Sequence, residues 1–198
     1  MPNALYHTTE DSGPIVLAPS GVIAHIRGCL YLSATTSFIA TGETLVQRSE
    51  YTVHVRIVSP PGVGSYREFA QLHGTTAYCA VGVNASGYAG IINSGAVRVT
   101  GTTDLRLKSY PCSIVYKMWF VTKHCGSIYV DGQLEVESID YGTLYYPQGI
   151  ISIGATSDSR TSICGLELIE AWNRLLNNEE IQYVSHNPYG TPDNPRLI

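Results

Sequence analysis

The chain carries little charge, and what it carries is scattered. Lys, Arg, Asp and Glu together make up 14% of the 198 residues, with a formal net charge of -4. The 12 Lys and Arg residues form no basic run. Clustered cations are what neutralise phosphates, so nucleic acid is not expected as a partner. No apolar stretch reaches the roughly 20 residues needed to cross a bilayer, so no membrane span is expected. The opening "MPNALYHTTEDSGP" has no cationic start ahead of an apolar core, so no secretory leader is expected either. The five cysteines, Cys29, Cys79, Cys112, Cys125 and Cys164, are odd in number, widely spaced and never arranged C-x-x-C. That spacing argues against a zinc site or a disulfide framework and for reduced thiols in a chain made in the cytoplasm.

Short catalytic motifs are missing as well. There is no G-x-S-x-G elbow and no G-x-x-x-x-G-K loop, and "GVGSYR" lacks the third glycine of a dinucleotide fingerprint. The six histidines, His7, His25, His54, His73, His124 and His186, include no H-x-x-x-H or H-E-x-x-H pair. His124 precedes Cys125 directly, but neighbours on a strand face opposite ways, so the pair is read as part of a hairpin connection.

What is present is the punctuation of an all-β protein. Runs rich in Val, Ile, Thr and Tyr are separated by clusters of Gly, Pro, Asn and Ser. In "YTVHVRIVSPPG", Val53, Val55 and Ile57 alternate with Thr52, His54 and Arg56, which puts three apolar residues on one face before "SPPG" stops the strand. Further strands are expected at "REFAQLHG", "AYCAVGVN", "GAVRVTG", "DLRLKSY" and "SIVYKMWFVTKH". Asp131-Gly132 in "SIYVDGQLEVES" suits a type I′ hairpin turn, because both residues tolerate positive φ. "GIISIGA" and "ICGLELIEAW" have the near-continuous apolar character of interior strands. With no βαβ rhythm, the reading is all-β: two antiparallel sheets packed face to face as a sandwich over residues 21–187. Residues 1–20 carry Pro2, Pro14 and Pro19 and read as an arm or edge segment, and 188–198 as a Pro-rich tail.

One short helix interrupts this pattern near the end. Asn177 suits an N-cap with Glu180 as its capping-box partner, Glu179 and Glu180 suit the positive end of the dipole, and Asn187-Pro188 ends the helix. Barely two turns long, it is not stable alone and must dock Ile181 and Val184 onto the sandwich.

The hairpin "YVDGQ", the strand "IISIGA", the strand "GLELIEAWNRLL" and the capped "NNEEIQYV" together resemble the concanavalin A-like jelly roll, and within it the laminin G-like domain. The matching residues are Asp131, Gly132, Gly154, Gly165, Asn173, Arg174, Leu176, Glu180 and Ile181. The closing "HNPYGTP" is similar to the tails of laminin G-like proteins of tailed bacteriophages. The resemblance implies a jelly-roll sandwich clasped by the helix. It further implies a virion protein made in the host cytoplasm, decorating a capsid or tail, present as a homo-oligomer or in many copies among other virion proteins, and able to bind glycans. A freestanding lectin module is the alternative, and a glycanase a third reading.

A glycanase of this fold needs two carboxylates converging across a cleft. Glu135, Glu137 and Asp140 in "LEVESID" have the wrong spacing for the family 16 glucanase motif, and Glu167 and Glu170 are assigned to opposite faces of a strand. The chain is therefore expected not to be an enzyme, with no catalytic residues and no cofactor. Calcium is the one metal the resemblance leaves open, although Asp158 stands nearly alone in its loop. Asn84-Ala-Ser86 is read as a turn. Tyrosine is abundant at 14 residues, and "DYGTLYYPQG" gathers Tyr141, Tyr145 and Tyr146 in one connection. Rings with a hydroxyl suit stacking on sugars or a wet protein interface, so these three are the expected ligand-binding residues.

Overall fold

The computed structural model describes residues 22–32, 38–45, 50–62, 64–73, 78–93, 95–120, 124–139, 149–154, 164–172 and 174–187. Within them lie β1 (Val22–Leu32), β2 (Phe38–Leu45), β3 (Glu50–Ile57), β4 (Arg67–His73), β5 (Tyr78–Val83), β6 (Tyr88–Asn93) and β7 (Ala96–Asp104). They are followed by β8 (Cys112–Phe120), β9 (His124–Val130), β10 (Gln133–Ile139), β11 (Gly149–Gly154), β12 (Cys164–Trp172) and the helix α1 (Asn178–His186). The strands form two six-stranded sheets, β1-β12-β3-β8-β9-β10 and β2-β11-β4-β5-β6-β7. Every neighbouring pair is antiparallel. The expected two-sheet antiparallel sandwich with one C-terminal helix is what the chain forms.

Alternation along the strands builds the core between the sheets. Val53, Val55 and Ile57 of β3 and Ile114, Tyr116 and Met118 of β8 meet Phe69, Leu72, Val81, Val83 and Ile91 of the second sheet. Each such side chain contributes about 1.5–3 kcal/mol on burial. Tyr116 is fully buried and donates its hydroxyl to the Gly82 carbonyl of the other sheet at 2.7 Å. β11 and β12, read from sequence as interior strands, each lie between two neighbours, though in different sheets.

The hairpin turn between β9 and β10 has positive φ at both Asp131 (49°) and Gly132 (79°), as its Asp-Gly sequence requires. The expected strand at "DLRLKSY" is not one. β7 runs to Asp104, whose side chain accepts from the Arg106 N–H at 3.0 Å and caps a 3-10 turn over Leu105–Leu107. Local side-chain capping by Asp104, with Leu105 buried in the core, wins over strand propensity here.

A second, smaller apolar cluster lies on the outer face of the first sheet: Val115, Tyr129 and Trp172 beneath Leu176, Ile181 and Val184. This cluster is the dock for α1. The Asn177 side chain accepts from the Glu180 N–H at 2.9 Å, and the Asn177 N–H donates to Glu180 Oε2 at 2.8 Å. Arg174 grips the same carboxylate with both terminal nitrogens, at 2.9 and 2.8 Å. Thr52 Oγ1 donates to the Arg174 carbonyl at 2.8 Å and accepts from the Leu176 N–H at 3.0 Å. The helix is therefore held by its lead-in as well as by its apolar face.

Candidate functional site

The same outer face carries a row of polar side chains. On β3 the inward Val53 and Val55 alternate with Thr52 and His54, and both of the latter are 0% exposed. Across the sheet, His54 is in register with Glu170 of β12, and Arg56 with Ser113 of β8. His54 Nδ1 lies 3.2 Å from Glu170 Oε2, and His54 Nε2 lies 2.8 Å from Ser113 Oγ. Three adjacent strands thus contribute a continuous carboxylate, imidazole and hydroxyl chain, with Ser113 1% exposed and Glu170 0% exposed.

Next to it, Arg56 Nε donates to Glu167 Oε2 at 2.8 Å. The expectation that Glu167 and Glu170 lie on opposite faces is corrected. β12 pairs Leu166 with Ile57 and Leu168 with Arg56, so Glu167 is an extra residue in a β-bulge. The bulge breaks the period of two and brings Glu167 to Arg56, while Glu170 meets His54, both partners standing on one face of β3. A sequence read by strict alternation has no signal for that insertion.

A second bulge disposes of the other acidic candidate. β10 pairs Leu134 with Tyr129 and Val136 with Ile128, leaving Glu135 as the extra residue. Its carboxylate accepts from the N–H and hydroxyl of Thr102, both at 2.7 Å, and from those of Thr103, at 2.6 and 2.5 Å. Partial burial pushes this carboxyl up, but the bonds from the two threonines together outweigh it and hold the group below its ordinary value. Glu135 is committed to joining β10 to β7 at the sandwich edge.

The described cysteines Cys79, Cys112, Cys125 and Cys164 are buried and form no disulfide. Burial pushes the thiols of Cys79 and Cys112 up to about 12, which makes them inert as nucleophiles. His124, at the start of β9 beside Cys125, is lowered to about 4 by burial. Among the described residues, no three His, Cys, Asp or Glu side chains come together to hold a metal ion, and no helix is long and apolar enough to cross a membrane. Tyr141, Tyr145, Tyr146, Asp158 and both terminal segments lie outside the described residues. Asn84 Oδ1 accepts from the N–H groups of Ser86 at 2.9 Å and Tyr88 at 3.1 Å, forming the turn expected at that triplet.

No family model and no curated protein matches the sequence. Solved structures do share the fold. Trypanosoma rangeli sialidase is similar over 85% of this chain and 31% of its own, with a TM-score of 0.55 and 13% identity. A mutant of NanB sialidase from Streptococcus pneumoniae is similar over 82% and 28%, with a TM-score of 0.57 and 13% identity. The heptameric SAP-like pentraxin from Limulus polyphemus is similar over 88% and 80%, with a TM-score of 0.53 and 13% identity. The chain therefore spans under a third of the sialidases' length and most of the pentraxin's.

These neighbours overturn the expectation that the chain is not an enzyme. That expectation set chemistry aside because no acidic pair of glucanase spacing was found, yet the sandwich recurs in chains of enzymes, the sialidases. Residue spacing carries no signal of the bulge that places Glu167 and Glu170 on one face.

Proposed function

We propose that the chain is a carbohydrate-recognition sandwich that works in several copies. The observation that carries this reading is the recurrence of its two-sheet architecture, at TM-scores of 0.53 to 0.57, in sialidases and in a pentraxin described as heptameric. One of the sialidase structures is a complex with sialic acid, so sialylated glycans are the first ligands to test. The tyrosine-rich connection holding Tyr141, Tyr145 and Tyr146 is the proposed contact, because a ring with a hydroxyl packs on a sugar face and still satisfies its polar edge. Attachment to the capsid or tail of a bacteriophage particle is the setting that the sequence resemblance suggests for it.

The test is binding of the full chain to immobilised glycans, sialylated and desialylated, with sedimentation giving the copy number as a multiple of 21.5 kDa. Selective retention that weakens in Tyr145→Ala and Tyr146→Ala supports the proposal, and uniform background binding overturns it. Mass spectrometry of purified phage particles tests the setting separately.

A further inference from the structure

We propose that Ser113 is an activated nucleophile toward small acyl esters, with His54 as its general base and Glu170 as the residue that positions that base. The carboxylate meets Nδ1 at 3.2 Å and the hydroxyl meets Nε2 at 2.8 Å, so each imidazole nitrogen has the partner that proton transfer from a serine requires. Geometry and roles, not chain order, identify such a trio.

Stability alone does not account for it. The same outer face also holds apolar side chains, Val115, Leu168 and Trp172, all at or below 1% exposure. Replacing a buried ionisable pair with apolar residues of similar volume is often neutral or stabilising. A buried, hydrogen-bonded carboxylate, imidazole and hydroxyl where aliphatic side chains would serve marks a functional candidate.

Access sets the substrate class. Ser113 is the second residue of β8, and Arg56 stands opposite it in the register with its side chain 16% exposed. Ser113 itself is 1% exposed, so the acyl group assigned to it is the smallest, acetyl. Arg56, the register partner of Ser113 whose Nε is held by Glu167, is the cation the proposal assigns to an oxyanion.

In the reaction, Ser113 Oγ bonds to the ester carbonyl carbon while its proton passes to His54 Nε2. The carbon–alkoxy bond then breaks and the leaving alcohol takes that proton. Water attacks the acyl-serine, gives a proton to Nε2, and the carboxylic acid leaves as Ser113 regains its hydrogen.

The test uses the intact chain with p-nitrophenyl acetate and a small alkyl fluorophosphonate, read by intact mass and peptide mapping. The expected result is one adduct per chain on Ser113, absent in Ser113→Ala. It should form at least about 100-fold more slowly in His54→Gln. Glu170→Gln should slow labelling per folded molecule, measured alongside circular dichroism, which a purely structural role would leave unchanged. A folded wild-type chain with no adduct on Ser113, or labelling equally fast in His54→Gln, overturns the proposal.

Discussion

The Glu135 carboxylate accepts both the N–H and the hydroxyl of Thr103, at 2.6 and 2.5 Å, and so joins edge strand β10 of one sheet to edge strand β7 of the other. With the matching pair from Thr102, this closes one side of the sandwich through a single bulged residue.

Glu135→Gln should therefore cost about 1–2 kcal/mol near pH 7, the low part of the range for charge-assisted bonds because the group is partly exposed. Its folded pKa is depressed. The stabilisation is then present above the ordinary glutamate value and is lost as pH falls through the lower folded one. Urea unfolding at several pH values should show the gap between wild type and variant closing on the acid side. A gap that is constant with pH contradicts this.

The hairpin turn makes a second prediction. A Cβ at Gly132 would sit 2.7 Å from Gln182 Oε1 on a backbone with φ of 79°, and Gln182 Nε2 donates to the Gly132 carbonyl at 2.6 Å. Gly132→Ala should destabilise by about 1–2 kcal/mol from φ strain and crowding together. Adding Gln182→Ala should return only the crowding part, and thermal melts of the single and double variants separate the two.

Helix docking should dominate helix capping. Ile181→Ala empties a fully buried position of the outer cluster and should cost about 2–4 kcal/mol, whereas Asn177→Ala should cost about 1 kcal/mol. Equal effects in denaturant unfolding would mean that the clasp depends on its cap instead.

Breaking the buried pair should be worse than removing it. Glu170→Leu alone strands His54 Nδ1 in the interior and should cost about 3 kcal/mol or more, while His54→Leu combined with Glu170→Leu should recover part of that. A double-mutant cycle by chemical unfolding gives the coupling directly.

How much of this was legible in the sequence follows from range. Signals carried by adjacent residues are legible: the Asp131-Gly132 turn, the Asn177 and Glu180 box, the stop at Asn187, and the alternation of Val53, Val55 and Ile57. β1, β2 and the Gly-containing β6 carry no clear strand signal, because turn-like residues dilute their pattern. The bulges at Glu135 and Glu167 were invisible, since one inserted residue changes the facing of everything beside it and is fixed by the partner strand. For the same reason, nothing local in "VHV", "CSI" or "IEA" announces that His54, Ser113 and Glu170 meet, although His54 on the polar phase of a strand was the available hint.

The central claim is recognition of carbohydrate by this sandwich, and titration calorimetry of the purified full chain with a sialylated oligosaccharide and its desialylated counterpart tests it most directly. The account predicts saturable binding of the sialylated ligand, lost in the Tyr145→Ala/Tyr146→Ala double variant. Flat titrations with both sugars, from a chain shown by circular dichroism to be folded, would contradict it.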